Sequence, residues 1–231
     1  MRNTLLQVLG ATGLAALAAL PANAILIDDF DADAALVDSA APGPTTFAAG
    51  GAIGGFRTME ILGFPADGDP ISSGATLAVM PLPTGALAHS QDFGTSGRSR
   101  IMWDADGAGL AADLTDGGLA NGIEIAIMAI DQGSVTLTLE VFDGASVALL
   151  TLAGLGAGNF SFLFGDFVGD GGVFDSASAV RLTIEATEAA DLALDFVRTI
   201  DVPPPRIPEP ATLALFGLGL MGLASIRRRR P

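Results

Sequence analysis

From Ile25 onward, apolar residues recur at every second position in short runs, and Gly, Pro, Asp and Ser cut the runs apart. The plainest run is Ser134–Phe142, with Val135, Leu137, Leu139 and Val141 on one face and Thr136, Thr138 and Glu140 on the other. A period of two is the signature of a strand with one buried face. Asp143-Gly144 then marks a tight turn into Val147–Leu152, a hairpin signal. Ala179–Ala186 repeats the pattern with Val180, Leu182 and Ile184 inward, and Leu192–Ile200 with Leu192, Leu194 and Phe196 inward. Ile123–Ile130 is apolar apart from Glu124, which predicts a strand covered on both faces. Phe160, Phe162 and Phe164 share one face of a further strand.

The first half is less regular. Ile25–Ile27 reads as a strand running into the acidic turn Asp28-Asp29-Phe30, and Asp31–Ala41 as a brief helix or a loop. Gly50–Leu62 and Ala75–Leu82 are strands bounded by Gly- and Pro-rich turns. Leu87–Phe93 and Arg98–Asp104 follow, joined hairpin-fashion through Gly94–Gly97. Many short strands, frequent turns and almost no helical period predict an all-β, antiparallel β-sandwich over residues 25–202. A jelly roll is the topology this length suggests.

The two ends break the pattern. Residues 1–24 read as a secretory signal peptide: Arg2 is the positive region, Leu5–Leu20 the apolar one, and Ala22-Asn23-Ala24 the small-residue segment cut after Ala24 by signal peptidase. At the other end, residues 203–210 form a Pro-rich linker containing Pro208-Glu209-Pro210. Ala211–Ile226 are sixteen uncharged residues, and Arg227–Arg230 follow at once. As a helix, 211–226 would be about 24 Å long, short of a hydrocarbon core of roughly 30 Å, yet able to span if the arginines snorkel. Residues 227–231 then stay cytoplasmic, which leaves the body tethered on the far side of the inner membrane.

Charge sharpens this division. The body, 25–202, holds five arginines against twenty-five Asp and Glu, a net of −20, while the other six arginines lie in the terminal segments. Such a surface repels nucleic acid and anionic headgroups. There is no cysteine, which excludes disulfides, thiolate metal sites and a cysteine nucleophile.

Candidate chemistry is sparse. His89 is the sole histidine, and its strand neighbour Ser90 points to the opposite face, so a triad would need a distant serine. Carboxylate pairs can be drawn anywhere in so acidic a chain and single out no glycosidase centre. The chain is read as non-enzymatic, with a cryptic hydrolase as the least supported alternative. No cofactor is implied except calcium, for which Asp28, Asp29 and Asp195 are candidate structural ligands if the first and last strands lie side by side. Asp104-Ala105-Asp106-Gly107 has the opening of a calcium loop without its closing glutamate. Trp103 is a candidate platform for a sugar ring, since Tyr is absent and no other Trp exists, with core or rim packing as the alternative.

Taken together, Pro208-Glu209-Pro210-Ala211-Thr212, the short Leu/Gly-rich span and the terminal arginines resemble the PEP-CTERM sorting signal of Gram-negative bacteria. The resemblance implies recognition by an exosortase, a membrane-embedded transpeptidase-like enzyme. It implies removal of the tail and delivery to the cell surface or extracellular polysaccharide matrix. Pro208, Glu209 and Pro210 would be the recognised motif, and Arg227, Arg228, Arg229 and Arg230 the cytoplasmic stop. The body is similar to jelly-roll domains found upstream of such signals, at Ile27-Asp28-Asp29-Phe30, Gly54-Gly55-Phe56-Arg57 and Asp195-Phe196. The expected role is a surface or matrix protein associated with exopolysaccharide or biofilm, the alternative a carbohydrate-binding module on the cell surface.

Overall fold

A computed structural model of the chain describes residues 24–37, 43–63, 76–80, 85–91 and 97–203. The expected leader up to Asn23, the Pro-Glu-Pro motif, the span 211–226 and the basic tail lie outside the described residues. Among the described residues, fourteen strands, numbered in chain order, form two antiparallel sheets packed face to face. The first sheet runs β11 (Gly158–Leu163), β8 (Gly122–Asp131), β14 (Asp191–Ile200), β6 (Ala86–Ser90), β5 (Thr76–Met80) and β2 (Ala34–Val37). Strand β1 (Leu26–Asp28) also pairs with β14, past the end of β6. The second sheet runs β12 (Val168–Gly169), β10 (Ser146–Leu155), β9 (Val135–Asp143), β13 (Ala179–Ala186), β7 (Gly97–Trp103), β4 (Phe56–Gly63) and β3 (Thr45–Ala48). Among the described residues there is no α-helix, only three 3-10 turns.

The alternating runs behave as their period dictates. Val135, Leu137, Leu139 and Val141 of β9, and Val180, Leu182 and Ile184 of β13, are fully buried. They meet Ile123, Ile125, Leu192, Leu194 and Val197 of the first sheet in one core. The β9–β10 hairpin closes as expected, with Asp143 opposite Ser146 and Gly144 in the left-handed region at φ 56°.

Four readings are corrected. Within Asp31–Ala41, expected as a helix or a loop, the described residues Asp31–Val37 contain a strand: Ala34–Val37 pairs with β5. The segments around Leu87–Phe93 and Arg98–Asp104 are not a hairpin, because β6 lies in the first sheet and β7 in the second. Strand β8 is covered on both faces only in its first half, since Met128 and Ala129 are exposed. Phe196 does not face inward. A bulge between Leu194 and Val197 shifts the inward set from even to odd positions, so Val197 and Thr199 are buried and Phe196 lies under the Arg198 guanidinium, 4.4 Å away.

The sheets are tied by a fully buried polar cluster. Asp28 of β1 faces Arg57 of β4 and Trp103 of β7, and all three side chains have no solvent exposure. Asp28 Oδ2 accepts from Arg57 Nε at 2.6 Å and from Trp103 Nε1 at 2.7 Å. Its Oδ1 accepts from Arg57 Nη2 at 2.5 Å and from the Phe30 amide at 2.9 Å. Arg57 Nη1 also donates to the Ala32 carbonyl at 3.1 Å, and the guanidinium sits 5.1 Å from the Phe30 ring centroid. A bidentate pair with its remaining valences filled is the arrangement in which buried charge is tolerated. Removing one partner strands the other. Arg57→Met should therefore cost about 3–5 kcal/mol in urea unfolding, and adding Asp28→Asn should recover part of that loss. A single variant as stable as the wild type would show that the pair contributes nothing.

Candidate functional site

Among the described residues, three places bring chemistry-bearing side chains together: the Asp28 cluster, the surroundings of His89, and a cleft on the outer face of the first sheet. In the first, neither Asp28 nor Trp103 is free to act as a ligand group, and Trp103 takes the core position that was its alternative. Both Asp28 oxygens are filled by N–H donors and its charge is matched by Arg57, which leaves nothing for a cation. Asp29 turns instead against Gly51 and accepts from the Asp31 amide at 3.2 Å. Strands β1 and β14 do lie side by side, but Asp28, Asp29 and Asp195 are not gathered. Among the described residues no group of three or more His, Asp or Glu side chains forms a metal site, Asp104 and Asp106 included. Trp103 cannot serve as a platform because its indole is wholly enclosed between the sheets, with its N–H spent on Asp28. Ala24, the expected cleavage residue, is exposed ahead of β1, whereas Ala22 lies outside the described residues.

His89 does meet a distant serine. It points into the core from β6, and its Nδ1 shares a hydrogen bond of 2.8 Å with Ser99 Oγ of β7, so the pair bridges the two sheets. Burial pushes the imidazole down to about 4, an effect partly opposed by Gln91 beside it and by the negative charge of Asp191. Gln91 is itself held, its side-chain amide on the Thr187 carbonyl and its backbone N–H on Asp191 Oδ1 at 3.2 Å. Histidine and serine are each about as buried as a core leucine, at 2% and 1% exposure. A neutral imidazole and a hydroxyl sealed in this way form a polar cross-tie; neither touches solvent or a substrate-sized opening through its functional atoms.

The cleft lies directly behind this pair, on the other side of the sheet. It has a volume of about 250 Å³ and is lined by Ala88 and Ser90 of β6, Ala129 and Asp131 of β8, and Asp191 and Ala193 of β14, over the backbone of His89 and Leu192. Its floor follows from register. Ala193 faces Ala129 on one side and Ala88 on the other; Ala88 faces Ala78 of β5, which faces Ala35 of β2. In register, five alanine positions thus cross five strands, and three of them, Ala129, Ala193 and Ala88, line the cleft. At one edge Asp131 and Asp191 stand directly opposite each other. Sequence reading missed both the Ser99 contact and this row, since each depends on which strands become neighbours.

The buried histidine makes stability pH-dependent. The unfolded ring titrates near 6.5 and the folded one near 4, so between those values the unfolded chain takes up a proton that the folded protein refuses. The contribution is complete above pH 6.5 and shrinks as pH falls, by about 2 kcal/mol at pH 5. Urea unfolding at pH 7 and pH 5 should show the wild type losing more stability than His89→Gln, and equal losses would contradict the assignment.

Comparison with solved structures finds similarity to the family 11 carbohydrate-binding module of cellulosomal cellulase Lic26A-Cel5E of Clostridium thermocellum. Identity is 8%, coverage 80% of this chain and 98% of that one, and the TM-score 0.39. A solution structure of CtCBM11 gives 9% identity, 81% and 99% coverage and a TM-score of 0.43. TmCBM61 in complex with beta-1,4-galactotriose gives 10%, 75% and 91%, and 0.32. Likenesses this distant carry nothing about ligand or activity to the present chain. No curated protein matches it. The profile of the PEP-CTERM protein-sorting motif matches residues 206–230, and the chain therefore carries a PEP-CTERM sorting signal there.

Proposed function

We propose that the chain is an exported, non-catalytic surface or matrix protein, a jelly-roll-type β-sandwich delivered through its C-terminal signal by an exosortase-type enzyme. Cleavage after Ala24 frees the body on the far side of the inner membrane. Residues 211–226 hold it there, Arg227–Arg230 stop the tail in the cytoplasm, and processing near Pro208-Glu209-Pro210 releases it to the surface or exopolysaccharide. The observation that carries this reading is the sorting motif at residues 206–230. The absence of catalysis is supported by the burial of His89 and Ser99, which leaves the sole histidine of the chain unable to reach a substrate. Deleting the sorting enzyme in the producing cells should leave the protein full-length in the inner membrane, as followed by fractionation and mass spectrometry. Unchanged surface release would overturn the reading.

A second reading, binding of a carbohydrate, is favoured by the cleft on the first sheet. An alanine floor is flat enough for an extended chain to lie across the strands, and Asp131, Asp191 and Ser90 offer acceptors to hydroxyl groups. The ligand would be an uncharged glycan. The body carries −20, and each of its five arginines is already paired: Arg57 with Asp28, Arg98 with Glu185, Arg100 with Glu60, Arg181 with Glu140 and Arg198 with Glu124. Glycan arrays should then show saturable binding of neutral oligosaccharides that Ala129→Arg, which fills the cleft, removes. Binding that survives Ala129→Arg would place it elsewhere.

A further inference from the structure

The point at which the chain leaves the fold toward its sorting signal is built with unusual care. Asn121, just before β8, uses every polar group it has. Its backbone N–H donates to the Ile200 carbonyl at 2.8 Å, and its carbonyl accepts from the Phe164 amide at 2.9 Å. Its side chain then acts as one more peptide group: Nδ2 donates to the Val202 carbonyl and Oδ1 accepts from the Val202 amide, both at 2.8 Å. The sheet is thereby extended to residue 202, beyond the end of β14. Pro203–Pro205 come next and, lacking N–H groups, cannot continue a ladder. Even fully extended, the chain from Val202 to Pro208 reaches no further than about 22 Å. A short tether fixed at one end must present one particular end of the sandwich to whatever grips the motif.

That end is a single surface. Leu110 and Ala112 donate to Ser178 and Ala177, and Leu114 donates to Phe174, which binds the 104–121 loop to the segment after the 3-10 turn at Gly171–Phe174. Asp113 holds the tip of the loop, accepting from Thr115 Oγ1 at 2.5 Å and from Gly117 N at 2.9 Å. Segments 104–121, 143–146, 164–178 and 201–202 contain nine aspartates and no arginine, and lysine is absent from the chain. Leu119 at 59% exposure and Val168 at 73% stand out of this acidic ground as its most exposed large apolar side chains.

We propose that this end face is a second recognition surface, contacted by the sorting enzyme while it holds Pro208-Glu209-Pro210, with the Asn121 clamp keeping the two in register. The inference rests on the sorting reading above and deepens it. The complementary surface on the enzyme is cationic around an apolar spot, on the side of the membrane where the body folds. A bare bilayer fits less well, because anionic headgroups repel a face of nine carboxylates. Two linked contacts gain from effective concentration, which a long flexible insertion would dilute.

The test follows loss of the C-terminal tail from the full-length chain in cells that contain its sorting enzyme. Leu119→Arg/Val168→Arg, and separately a long Gly/Ser insertion after Val202, should each slow processing about ten-fold. Met128→Arg, which alters another exposed apolar residue, on the first sheet, should leave the rate unchanged. Thermal melts of each variant check that the fold is intact. Wild-type rates for the double variant, with Glu209→Ala blocked, would overturn the second surface and leave the sorting reading standing; a slow insertion variant beside a fast double variant would do the same, since it would reveal a tether effect alone. Normal processing of Glu209→Ala would overturn the sorting reading, and this proposal with it.

Discussion

The fold depends on one ion pair that water never reaches. Asp28 comes from a three-residue strand held by the last strand of one sheet, and Arg57 and Trp103 from two neighbouring strands of the other. Aliphatic side chains could fill the same volume, but they would accept many relative positions of the two sheets. A carboxylate that needs four donors at once accepts one. The cluster also holds the turn after β1, where Phe30 adopts a left-handed φ of 55° that a bulky residue rarely takes. Its amide is satisfied by the carboxylate and its ring lies near the guanidinium. In a domain without disulfides, a buried charge pair is a costly fastening, and its return is a specified arrangement of the sheets more than added stability.

The same economy governs the other charged groups. Arg98, Arg100, Arg181 and Arg198 each face their glutamate directly across a ladder: Glu185, Glu60, Glu140 and Glu124. Exposed pairs of this kind stabilise little, yet a slip of one residue would set each guanidinium against a side chain of the wrong face. They act as register pins. All the positive charge of the body is therefore consumed internally, by the core in one case and by sheet register in four, and what is left to the solvent is carboxylate.

How much of this was legible in the sequence depends on distance along the chain. Val135–Val141 and the Gly144 turn announce their hairpin because alternation and turn chemistry are local. Phe196 misleads because a bulge resets the period within its own strand, and no residue there advertises it. Ala34–Val37, four residues of mostly small side chains, is a strand only because β5 lies beside it. The 94–97 connection has hairpin chemistry but joins two different sheets, a choice made by the remaining strands. Arg57 was the available clue to the core. It lies two residues before Met59, so the period of two sends both inward, and a buried arginine requires a buried acid. Asp28 and Trp103 were singled out by the sequence as a candidate ligand and a candidate platform, roles that their burial forbids, and for Trp103 the alternative of core packing is the one that burial matches.

This disposition of charge bears on how body and tail cooperate. A body whose five arginines are all paired attracts cations electrostatically, whereas the tail keeps Arg206 and the four terminal arginines on the other side of the prolines. The acidic body and the cationic tail thus carry opposite charge and are separated by Pro203–Pro205. Asn121 completes the separation by ending the fold at a fixed residue instead of a frayed strand. The acidic end face holds no arginine of its own, which suits it to cationic surfaces supplied from outside.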